Sequence, residues 1–193
     1  MAVLTQAQMQ AYADQVASSK ADQSGNWIKP GAKYLWEVLN ILMYGGNGGN
    51  FYIAEMICRE SVPTGEKDRN GKDYVPNAVG STASYSVNLS DPKQKSAMGN
   101  VKKFVMDLFG EPESEVSSDV IFQTLAKTDE KGEVVAPSVC RGMLIRDEAW
   151  NKPQKTDPSK DFTHHRWTAV TQTDEEIAAR KAELDKTNPL AVK

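Results

Sequence analysis

The chain has 193 residues, 39% hydrophobic and 25% charged, a balance that suits one ordinary core with appendages and excludes a disordered or fibrous protein. Net charge is −3, from 23 Lys and Arg against 26 Asp and Glu, so the molecule as a whole does not attract polyanions and any nucleic-acid site must be a local patch. No apolar run approaches the ~20 residues of a membrane span, and the N-terminus lacks the basic start and apolar stretch of a signal peptide, so a cytoplasmic protein is expected.

Residues 5–20 place Met9, Tyr12 and Val16 at helical spacing, which predicts an N-terminal helix. Lys29, Pro30 and Gly31 break the chain, and the aromatic and aliphatic run 34–44 (YLWEVLNILMY) reads as a strand. Residues 51–60 (FYIAEMICRE) read as its return. Between them GGNGGN, residues 45–50, is turn material, because Gly and Asn tolerate positive φ, so an antiparallel hairpin is predicted. Residues 61–80 are charged and broken by Pro63, Gly65, Gly71 and Pro76; a loop of that length is usually functional or mobile. Residues 82–89 then alternate, with Ala83, Tyr85, Val87 and Leu89 on one face, as in a strand buried on one side.

A helix is predicted from Ser90, Asp91 and Pro92, a capping group followed by a first-turn proline, to Gly110. Ala97, Val101, Phe104, Val105 and Leu108 share one face of it. Charge segregates here: Lys93, Lys95, Lys102 and Lys103 precede Asp107, Glu111, Glu113, Glu115 and Asp119, a split that can polarise a surface. A short helix over 118–127 follows. Residues 139–146 and 162–170 read as two further strands, separated by a loop over 148–160. Thr173 and Glu176 have capping-box spacing for a last helix running to about Lys186.

Five strands with a helix after the third give the element order of the OB-fold, a small Greek-key barrel. The expected class is mainly β with helices (α+β): a helical arm over 1–28, an OB-like domain over 29–172, and a C-terminal helix and tail over 173–193. A β-sandwich with peripheral helices is the alternative. OB barrels bind ligands across the second and third strands and between the first-to-second and fourth-to-fifth loops. Here those are residues 45–50 and 148–160, the latter carrying Trp150, Lys152, Lys155 and Lys160, with 61–80 overhanging the same region.

Three stretches carry a family likeness: 31–44 (GAKYLWEVLNILMY), 50–60 (NFYIAEMICRE) and above all 77–110, where NAVGSTASYSVNL precedes KSAMGNVKKFVMDLFG. The last resembles the N-x-VGS strand entry and A-x-GN-(I/V)-K-x-F helix of phage-encoded single-stranded DNA-binding proteins of the OB-fold type. The resemblance covers about half the chain. It implies a protein that coats transient single strands in phage replication or recombination inside a bacterial host cell. The implied partners are single-stranded DNA, further copies of the chain, and phage or host replication proteins. The acidic recruiting end common among single-strand binders has no counterpart in 188–193 (NPLAVK), so recruitment that way is not expected.

Sequence-tolerant binding of a single strand needs ring faces for bases and cations for phosphates. Trp36, Tyr52, Tyr74, Trp150 and Trp167 are the candidate rings; Arg59, Lys67, Arg69, Lys72, Arg141, Arg146 and Arg166 are the candidate cations. For a ring on a strand the competing explanation is core packing, and for a lone cation it is a solvated surface. Cys58 and Cys140 read as small buried hydrophobes. Adjacent His164 and His165 point to opposite strand faces, and neither cysteine sits in a metal-binding pair, so no metal or other cofactor is expected. No Gly-Lys-Ser/Thr follows the glycine loop and no nucleophile elbow or triad appears, so catalysis is not expected. The alternative reading is an OB-type interaction module docking on a replication or host-defence protein, favoured by the net negative charge.

Overall fold

The computed structural model describes residues 27–46, 49–90, 97–129, 134–154 and 157–187. The expected N-terminal helix over 5–20, the Asp91–Pro92 cap with Lys93 and Lys95, Lys155 and the tail 188–193 lie outside them. Strands β1 (Ala32–Gly46) and β2 (Gly49–Pro63) pair antiparallel along their whole length, running into the glycines read as loop. Strand β3 (Thr82–Asn88) pairs with β2, and α1 (Ala97–Phe109) ends at Gly110, whose φ of 70° closes it as expected. A 3-10 turn (Glu113–Glu115) and α2 (Ser118–Gln123) follow, then a small hairpin of β4 (Lys127–Thr128) and β5 (Val134–Ala136). Strands β6 (Leu144–Pro153) and β7 (Asp161–Ala169) and helix α3 (Asp174–Thr187) complete the chain.

The main sheet is antiparallel, in the order β3-β2-β1-β6-β7. Three hairpin-linked strands with the fourth returning beside the first is a Greek key. The class is mainly β with helices, as expected, but the sheet is not closed into a barrel: among the described residues no ladder joins β3 to β7. Its two edges nonetheless face each other, since Tyr85 on β3 lies 5.0 Å from the Trp167 ring and 5.3 Å from the His165 ring on β7. Phe104 of α1 fills the same space, 5.3 Å from Tyr85 and 5.0 Å from Trp167. The single apolar stripe of α1 is thus spent on bridging two strand edges through side chains.

Bulges set which residues enter this core. An extra Arg59 on β2 and an extra Leu39 on β1 shift the register, so that inward positions change from Trp36 and Val38 to Ile41 along β1. Asn40 is buried beside the second bulge, where its Oδ1 accepts from the Ile41 and Ser138 backbone N–H groups. Strand β6 covers β1 only as far as Glu37; beyond it, Gly142 and Met143 exchange backbone bonds with Val38, and Ala126 N–H donates to the Ile41 carbonyl.

The fourth main strand differs from expectation. Residues 139–142 are turns, and the strand runs from Leu144 to Pro153, through most of the segment read as loop. Its inward positions are Ile145, Asp147 and Ala149, and the buried carboxylate at the centre breaks the apolar alternation that marks a strand. The short helix also stops earlier, at Gln123, with β4 beginning at Lys127.

Candidate nucleic-acid interface

Strand parity decides which expected site residues reach the surface. On β6, Arg146, Glu148, Trp150 and Lys152 point outward; on β7, so do Phe162, His164, Arg166 and Thr168. Register places Trp150 opposite His164, Glu148 opposite Arg166, and Lys33 of β1 opposite Glu148 on the other side. The result is one outer face where Trp150 and His164 stack at 5.8 Å with ring planes 20° apart. Lys152 Nζ and the Arg166 guanidinium sit 5.6 and 5.5 Å from the Trp150 ring centre. Phe162, half exposed, pairs with Lys152 at the hairpin end. Burial and the nearby Lys152 hold the His164 imidazole below its ordinary pKa, so it is neutral at pH 7.

The excursion over 64–81 folds back onto this hairpin. Its tip is a turn in which the Asp68 carboxylate accepts from the backbone N–H groups of Lys72 and Asn70, bonds that hold its pKa below the usual value. Arg69 makes a two-point ion pair with Asp161 at the start of β7, and Asn151 Nδ2 of β6 donates to Tyr74 Oη at 3.0 Å. Tyr74 lies over Gly31, where a side chain would meet its Cβ at 2.8 Å and where φ is 82°, so only glycine fits. Asn151 and Asp161 have the inward parity of Ala149 and Trp167, so Arg69 and Tyr74 are anchored on the side of the hairpin opposite Trp150, and Lys67 and Lys72 lie on the same excursion.

Four of the expected residues are buried away from the Trp150 face. Trp36, Tyr52 and Trp167 are buried in the core: Trp36 packs on Tyr34, Tyr52 on Phe104, and Trp167 on Tyr85, Phe104 and His165. Arg141 is sealed, its Nε donating to Asp185 Oδ1 at 2.8 Å and its Nη1 to the Leu39 carbonyl at 2.9 Å; it fastens α3 to the turn before β6. The cause for Trp167 is its neighbour: a strand cannot put Arg166 and Trp167 on one face. Arg59, 39% exposed, is an ion-pair partner of the buried Glu37 on the outer side of β1 and β2.

Two of the four cations of the face are already matched: Arg146 pairs with Glu60 at 3.3 Å and Arg166 with Glu148 at 3.0 Å, while on the excursion Lys67 pairs with Asp73 at 3.7 Å. Among the described residues no salt bridge holds Lys33, Lys72 or Lys152. A phosphate would therefore meet exposed pairs, which are weakly held in water, together with free ammonium groups. Lys33, His164 and Phe162 also belong to this face; the outward parity of β7, with Trp167 inward, is the sequence signal that points to the last two.

The two histidines do face opposite ways. His165 Nδ1 and Asp147 Oδ2 share a hydrogen bond of 2.9 Å inside the core, while His164 lies outside on Trp150. Burial pushes the Asp147 carboxyl above its usual pKa and takes the Cys140 thiol up to about 12; Cys58 and Cys140 are both free and buried. Among the described residues no cluster of His, Cys, Asp and Glu is arranged to hold a metal ion, and no helix is long and apolar enough to cross a membrane. No protein-family model matches the chain, and no curated protein matches it significantly.

Proposed function

We propose that the chain binds single-stranded DNA with little sequence preference, on the outer face of β6 and β7. The observation that carries this reading is the Trp150–His164 stack flanked by Lys152 and Arg166. A flat ring at a sheet surface, with cations beside it, offers a base a stacking partner and its phosphate a counter-charge. We read the curled Greek-key sheet as an open OB-type barrel, a fold that commonly presents such a surface. The resemblance of residues 77–110 to phage-encoded single-strand binders supports the same reading, and with it a role in covering transient strands during phage replication or recombination. The proposed face differs from the usual OB surface. The outward residues of β3 opposite β2 are Thr82, Ser84, Ser86 and Asn88, and Glu55 lies among them, so cations are scarce there.

Titration with oligo-dT tests the proposal. Quenching of tryptophan fluorescence that weakens steeply as salt rises is expected; unchanged fluorescence together with no gel shift at low salt overturns it.

A further inference from the structure

A hollow of about 410 Å³ opens beside the C-terminal end of α1, lined by Phe109, Glu111, Glu115, Val116, Val120, Gln123 and Val139. It lies at the lower end of the size range of ligand sites, and its wall is largely apolar. Val116 is buried and Val120 packs on the core, but Val139, in a turn, is 62% exposed. Apolar area left in water at that position gives the fold nothing.

The charge around the hollow is of one sign. From Asp107 to Asp119 the chain carries Asp107, Glu111, Glu113, Glu115 and Asp119 and no Lys or Arg. Two of these are neutralised from α1: Lys103 bonds Asp107, and Lys102 bonds Glu113 at 3.2 Å. Glu111 and Glu115, the acids that line the hollow, are held in no salt bridge among the described residues. An apolar floor beneath two unneutralised carboxylates repels phosphate, so this surface is no extension of the nucleic-acid face. It complements the opposite chemistry, an apolar side chain on a segment flanked by Lys or Arg.

We propose that this hollow is a docking site for a peptide segment of a partner protein in which a large apolar residue is flanked by basic residues. The apolar side chain enters between Phe109, Val116 and Val139, and the flanking cations meet Glu111 and Glu115. Such charge complementarity chiefly sets specificity and association rate, while the apolar anchor supplies affinity. The proposal does not depend on DNA binding.

The test is selection from a random peptide display library on the full-length chain. The selected peptides are then synthesised and their affinities measured by fluorescence anisotropy. Enriched peptides with an apolar residue between basic ones are expected. They should bind more weakly at higher salt and lose at least about tenfold in affinity to the double variant E111K/E115K and to Val139→Asp. Circular dichroism of both variants should match the parent, since the altered side chains are at the surface. Failure to enrich any peptide, enrichment of acidic or uncharged peptides, or undiminished binding to folded variants overturns the proposal. So does sedimentation showing that the chain self-associates and that E111K/E115K abolishes this, which assigns the hollow to a second copy. Oligo-dT affinity should not fall in E111K/E115K, whose four added units of positive charge favour a polyanion, and should be unchanged in Val139→Asp; a loss in either without a loss of peptide binding contradicts the separation of the two surfaces.

Discussion

Trp150 and Trp167 are the same residue type on neighbouring strands, and burial gives them opposite tasks. Trp150→Ala removes a surface ring and should weaken oligo-dT binding by about 1–3 kcal/mol, roughly 5- to 150-fold, while leaving thermal stability close to that of the parent. Trp167→Ala empties a site between Tyr85, Phe104 and His165 and should destabilise the fold by about 3–5 kcal/mol, read by chemical denaturation. Equal effects of the two substitutions on binding by folded protein would contradict the assignment of the face. His164 gives the face a pH response. Its folded pKa lies below the ordinary 6.5, so it is neutral at pH 7 and gains a proton only as pH falls through the lowered value. The added positive charge on Trp150 should then tighten oligo-dT binding. His164→Gln should remove that rise, which an anisotropy titration across the acidic range will show. The stability sign is opposite: a depressed histidine pKa contributes stability above the unfolded value that is lost as pH falls through the folded one.

Helix α3 is held by contacts that are local and specific. Thr173 and Glu176 form a reciprocal capping box, with Thr173 N–H donating to Glu176 Oε2 at 2.9 Å and Glu176 N–H to Thr173 Oγ1 at 3.3 Å. Gly142 receives the helix: with φ of 88°, a side chain there would stand 2.9 Å from the Ile177 carbonyl oxygen and the Lys181 nitrogen. Gly142→Ala should therefore cost more than about 1 kcal/mol and loosen α3, measurable as faster amide exchange in residues 174–187. Of these features the capping box was legible from spacing alone, as were the β1–β2 hairpin, the alternation of β3 and the apolar stripe of α1. Each is a local rule with a short period. What was not legible depends on partners distant in sequence. Asp147 occupies an inward position of β6 because His165 on the next strand meets it, and that one buried acid hid the strand. Arg141 looked like a phosphate contact because Asp185, its partner, lies on another element. Of the expected site residues, Trp150, Arg146 and Arg166 share the outer face of β6 and β7, whereas Arg69 and Tyr74 bond the inward-parity Asp161 and Asn151.

At the scale of the whole molecule a net charge of −3 coexists with two surfaces of opposed character. Lys152 and Arg166 flank Trp150 on one, which also carries Lys33 and Arg146, and Glu111 and Glu115 line an apolar hollow on the other. Binding of a polyanion then rests on a local patch, and its salt dependence counts the cations engaged. The most direct measurement is the affinity of fluorescent oligo-dT at a series of salt concentrations, for the parent and for Lys152→Ala with Arg166→Ala. If about four phosphates meet these side chains, the slope of log affinity against log salt should be about −3, and the double variant should flatten it by about 1.4. No measurable binding at the lowest salt, or a slope that the double variant leaves unchanged, would contradict the placement of single-stranded DNA on the β6–β7 face.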